Sequence, residues 1–94
     1  MGHGLPINLI TVSNSGRGNG SSWFWATVVE PGGKSYVHDI RVPYSNNQHD
    51  WGHIAAKAMH IAVTNTPKHR TFAIVGPTEM MKMIPPEFHT VRPE

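Results

Sequence analysis

The chain of 94 residues contains no cysteine. Neither a disulfide framework nor a thiolate metal site can hold it together, so its stability must come from packing or from association with another chain. Charge is also sparse. Only 15% of residues are charged, eight basic against six acidic, for a net charge of +2. The basic residues (Arg17, Lys34, Arg41, Lys57, Lys68, Arg70, Lys82 and Arg92) are scattered, whereas a strong nucleic-acid binder usually gathers them into one patch. No apolar run approaches the roughly 20 residues of a membrane span, and no membrane partner is expected. Met1–Pro6 has neither the basic start nor the apolar run of a signal peptide, which sets the expectation of a cytoplasmic protein. With 38% hydrophobic residues there is material for one modest core. The expectation is a single domain over 1–94, with its core at about 7–84 and an extended tail at 85–94.

What is present reads as short strands around one helix. Ile7 to Val12 is a β-branched apolar run, the composition of a strand. Ser13 to Ser22 reads as a glycine-rich loop. Trp23 to Glu30 alternates, with Trp23, Trp25, Thr27 and Val29 on one face and Phe24, Ala26 and Val28 on the other. Pro31-Gly32-Gly33-Lys34 is a turn signal, and Ser35 to Val42 alternates again. These three strands form an antiparallel meander. Asn46 or Asn47 is then placed to cap a helix. From Asp50, the residues Trp51, Ile54, Ala55, Ala58, Ile61 and Ala62 make one apolar stripe at helical spacing. Pro67 stops the helix. Thr71 to Val75 lacks alternation, as in a strand covered on both faces, and its place after a helix requires a crossover and a parallel pairing. Glu79 to Ile84 reads as a short helix with Thr78 as its N-cap, ended by Pro85-Pro86. The fold class is α+β, with a mixed sheet of about four strands.

This order resembles the front half of a ribonuclease H domain. Gly18-Asn19-Gly20 followed by Trp23-Phe24-Trp25-Ala26 is similar to that family's glycine loop and aromatic second strand. Tyr44-Ser45-Asn46-Asn47-Gln48-His49-Asp50 followed by Ala55-Ala56-Lys57-Ala58 is similar to the start of its first helix. The resemblance spans about residues 7–84. It implies a ribonuclease H-like sheet and, in an active member, hydrolysis of a phosphodiester with two Mg²⁺ ions held by carboxylates. Carried across, the first aspartate falls at Ser13 or Asn14, the helix glutamate at Asp50, and the fourth-strand aspartate near Gly76, Pro77 or Thr78. Asp50 alone keeps a carboxylate, and neutral ligands cannot offset two divalent charges. The resemblance therefore implies a degenerate, truncated member, leaning away from catalysis.

The candidate sites follow from residue types. In the loop, Ser13, Asn14, Ser15, Arg17 and Asn19 offer a guanidinium, hydroxyls and amides to phosphate or ribose oxygens. His53 and Lys57 lie on the polar side of the main helix and can face a phosphate backbone. His49 and His53 are four apart, a spacing that on a helix could bite one metal ion, but Asp50 points away from that pair, and no metal site is assigned. Trp23 and Trp25 form an apolar patch if helices cover only one face of the sheet, an interface or stacking surface. Met80, Met81 and Met83 are read as packing residues. No G-K-[ST] follows the glycine loop and no G-x-S-x-G is present, so neither a P-loop nor a nucleophile elbow is indicated. The expected function is a non-catalytic module binding nucleic acid, RNA or RNA–DNA hybrid. The alternatives are a protein-interaction module, inhibitor or adaptor, including a homodimer, and a divergent nuclease using Asp50 with Mg²⁺. Otherwise no cofactor is expected.

Overall fold

The computed structural model describes residues 7–89. The leader reading at Met1–Pro6 and the last five residues of the expected tail lie outside that range. β1 (Ile7–Gly18) and β2 (Ser21–Val29) form a long antiparallel hairpin, and β3 (Ser35–Ser45) pairs with β2. β4 (Gln48–His49) turns back on the end of β3, and α1 (Trp51–Thr64) crosses to β5 (Thr71–Val75). β5 lies parallel beside β1, giving the sheet order β4-β3-β2-β1-β5. α2 (Thr78–Met81) and a 3-10 turn at Pro86–Phe88 follow. The chain is thus an α+β domain with a mixed five-stranded sheet.

Four local expectations change. Residues 13–18 are strand, not loop. The hairpin closes on Asn19 (φ 52°) and Gly20 (φ 75°) alone, two left-handed residues that match the right-handed twist of the strands they join. Asn46 (φ 54°) and Asn47 (φ 59°) close the β3–β4 hairpin in the same way and cap nothing. The helix cap is Asp50, whose Oδ1 accepts from the His53 backbone N–H at 3.0 Å. At α2, Thr78 is the first helical residue; Pro77 precedes it and there is no side-chain cap. The expected tail begins with the 3-10 turn, and His89 bridges Ile74 on the outer edge of β5.

The core is one-sided. α1 presents Ile54, Ala55, Ala58 and Ala62 to the sheet face built from Ile10, Val12, Phe24, Ala26, Val28, Ile40 and Val42. The small helix residues let the helix backbone approach this bulky sheet surface closely. Met80 and Ile84 close the end of the layer. β5 is less enclosed than its sequence suggests, because it is an edge strand: Ala73 and Ile74 are buried, while Thr71 and Val75 are exposed.

Candidate functional site

A one-residue irregularity in β1 governs the site. Asn14 pairs with Phe24 and Gly16 with Trp23, so Ser15 is an extra residue, a β-bulge. Side chains alternate along a strand, and an extra residue reverses their faces beyond it. Arg17, which in unbroken alternation would share the face of Ser13 and Trp25, instead pairs with Ser22 on the α1 side of the sheet. There its guanidinium hydrogen-bonds the Tyr44 hydroxyl and stacks over the Tyr44 ring, 4.7 Å from the centroid. On the opposite face the same shift brings Gly16 and Gly18 under Trp23; a Cβ at either would lie 3.7 Å from its indole.

Tyr44 leads into an aromatic cluster at the start of α1. The His49 ring lies 5.0 Å from both Tyr44 and Trp51 and 5.3 Å from Phe24, edge-on in each case. His49 Nδ1 is 2.8 Å from the hydroxyl of the fully buried Ser22. Burial lowers the His49 pKa below its ordinary value, and the nearby Arg17 charge lowers it further. A neutral ring can meet the Ser22 hydroxyl with either a lone pair or an N–H. Arg17, Tyr44, His49 and Trp51 thus form a contiguous aromatic surface with one fixed cation. It reaches the first two turns of α1, where His53 and Lys57 are exposed. These two also line a groove against β3 with Asp39, Ile40 and His60.

The sequence-predicted residues are not all brought together. Ser13 lies on the open face of the sheet, paired with Trp25. Asn14 is on the α1 side, Ser15 is the bulge, and Asn19 is in the hairpin turn; all three are exposed. Because His49 belongs to β4 and not to α1, the i, i+4 pairing with His53 does not exist. Tyr44, Ser22 and the aromatic role of His49 were not legible as site features, since they depend on the bulge and on β4.

The positions that the resemblance assigns to carboxylates do not suit a pair of divalent ions. Asp50 commits its carboxylate to the helix cap. At the end of β5, a Cβ on Gly76 would lie 2.5 Å from the Met80 methyl and 3.1 Å from Val12 Cβ. A Met side chain folded over a glycine fills that corner, and a longer residue there would have to displace it. Among the described residues no three His, Asp or Glu side chains are grouped to share an ion.

The other face of the sheet is uncovered. Trp25 is 51% exposed and Val37 58%, and Ile7 and Val75 are exposed on the same face. Trp23 is half-buried, with the Arg41 guanidinium 5.8 Å from its ring. A cleft of about 590 Å³ at the β5 end of this face is lined by Ile7, Leu9, Ala73 and Phe88 among others. No helix among the described residues is long and apolar enough to cross a membrane. No family model, characterised protein or solved structure matches the chain.

Proposed function

We propose that this chain is a non-catalytic binding module on a ribonuclease H-like frame, engaging RNA or RNA–DNA hybrid through the bulged end of β1 and the start of α1. The frame reading is supported by the meander, the crossover helix and the parallel strand beside β1. The binding reading rests on one observation: the Ser15 bulge sets Arg17 on Tyr44, beside His49 and Trp51. A guanidinium held over an aromatic ring by one N–H keeps its remaining donors for phosphate oxygens, while half-buried aromatic edges suit an unstacked base. Lys57 and His53 extend the path along α1. Asp50 and Gly76–Thr78 give no basis for a hydrolytic step.

The test is a titration of RNA–DNA hybrid and of single-stranded RNA against salt. Binding is expected to weaken as salt rises, because phosphate contacts release counterions. Arg17→Ala and Lys57→Ala should each weaken binding and flatten the salt dependence, by about one phosphate contact apiece. Salt-insensitive binding, or none at low ionic strength, would remove this reading. A second reading is favoured by the exposed Trp25 and Val37: the open sheet face contacts a protein. Apolar patches that remain uncovered on a small domain commonly mark such contacts.

A further inference from the structure

The outer edge of β3 is free over most of its length. β4 covers only Tyr44 and Ser45, and among the described residues nothing pairs with Ser35 to Pro43 on that side. The direction of its backbone groups is fixed by one contact: the Tyr44 N–H donates inward to the Gly20 carbonyl at 2.8 Å. Since N–H and C=O groups alternate sides along a strand, Val37, Asp39 and Arg41 present both groups outward. Pro43 presents a carbonyl alone, and beyond it β4 occupies the edge. Exposed edges are usually blunted by charged side chains, proline or bulges; here the centre, Val37–Arg41, has neither proline nor bulge, and its two charges, Asp39 and Arg41, are of opposite sign.

We propose that this edge pairs with the same edge of a second copy, antiparallel about a twofold axis at Ile40. The argument is charge complementarity. The edge carries one acid and one base, Asp39 and Arg41, on the same face and two residues apart. With Ile40 opposite the second copy's Ile40, Asp39 faces Arg41 on each side of the axis, and Val37 faces Pro43. All four are residues with outward backbone groups, so each Asp39–Arg41 pair closes with both ladder bonds and each Val37–Pro43 pair with one, from the Val37 N–H to the Pro43 carbonyl. Sliding the strands by two residues sets Asp39 against Asp39, or Arg41 against Arg41, at the axis, and like charges directly opposite are unfavourable. The arrangement is isologous and therefore closes at two copies. The other sheet edge is shielded at Ile74 by His89, which opposes continued growth. This pairing does not depend on the nucleic-acid reading.

Sedimentation equilibrium of the full chain, with circular dichroism to verify folding, tests it. The wild type should be a reversible dimer. Asp39→Arg alone, and Arg41→Asp alone, should each raise the dissociation constant by about tenfold or more, since each sets like charges opposite one another twice. The double reversal, Asp39→Arg with Arg41→Asp, has the same composition as the wild type and should restore dimerisation. As a second readout, Ile40→Cys should give a disulfide-linked dimer on mild oxidation, because the axis brings the two backbones within bonding reach and the chain has no other thiol. A chain monomeric up to about 0.5 mM, below the working range of stable interfaces, overturns the proposal. So does a dimer that is indifferent to both single reversals, or one dissolved by Trp25→Ser instead, which would place the contact on the open face.

Discussion

Asn8 interrupts the apolar run of β1 with an amide that is fully buried. Its Nδ2 donates to the Asn65 carbonyl at the end of α1, and its Oδ1 accepts from Arg70 just before β5, at 2.9 and 3.0 Å. One side chain thus ties both ends of the crossover to the first strand. Asn8→Leu fills a similar volume but leaves the carbonyl and the guanidinium without this partner. Chemical denaturation should show a loss of about 1–3 kcal/mol, the usual cost of orphaned buried groups. His49 governs a different property. Its folded pKa lies below the unfolded value, so between the two the unfolded chain binds more protons. Its contribution is therefore present above about pH 6.5 and is lost as pH falls through the folded pKa. His49→Gln, which can still hydrogen-bond Ser22, should shrink the stability difference between about pH 7.5 and 5; an unchanged difference would assign that slope to other groups.

At the scale of elements, the sequence shows the meander, the helix stripe and the stop at Pro67 because each is local. Alternation from Trp23 to Val29 and the spacing of Ile54, Ala58 and Ala62 follow from backbone geometry within a few residues. The Asn19-Gly20 pair is also a local signal, the dipeptide of a two-residue hairpin. It is hidden by the serines and glycines around it, which read as one long loop. Asn46-Asn47 misleads for a related reason. Asparagine both caps helices and tolerates positive φ, and only the pairing of Tyr44 with His49 decides between them. The bulge at Ser15 is not legible at all, since it exists only as a mismatch between two strands. It is nevertheless what separates Arg17 from the tryptophans. Deleting Ser15 should restore simple alternation from Asn14 to Gly16 and leave Arg17 opposite Ser22 on the α1 side. The expected result is a folded hairpin whose nucleic-acid affinity stays near that of the wild type, unlike Arg17→Ala, in the same salt titration. A deletion that loses affinity as Arg17→Ala does would show that the local bend of the bulge, and not the strand register alone, holds Arg17 on Tyr44.

The whole molecule is a sheet with one dressed face. Every large residue of the buried layer lies toward α1 and α2, and none of the described helices covers the other side. The two sides of β2 should therefore respond in opposite ways to truncation. Phe24, fully buried and edge-on to His49 and Trp51, anchors both the core and the aromatic cluster. Phe24→Ala should cost about 3–5 kcal/mol, as core aromatic truncations do, enough to unfold much of a domain of this size. Trp25 is its sequence neighbour, yet half of its surface is already in water. Trp25→Ser should change the stability of the chain by about 0.5 kcal/mol or less, and the acrylamide-accessible part of the tryptophan fluorescence should fall. A large hydrophobic side chain that adds little to its own fold is what the protein-contact reading of the open face expects. If Trp25→Ser instead destabilised the chain as Phe24→Ala does, the open face would be packed in solution, and the one-sided core would have to be redrawn.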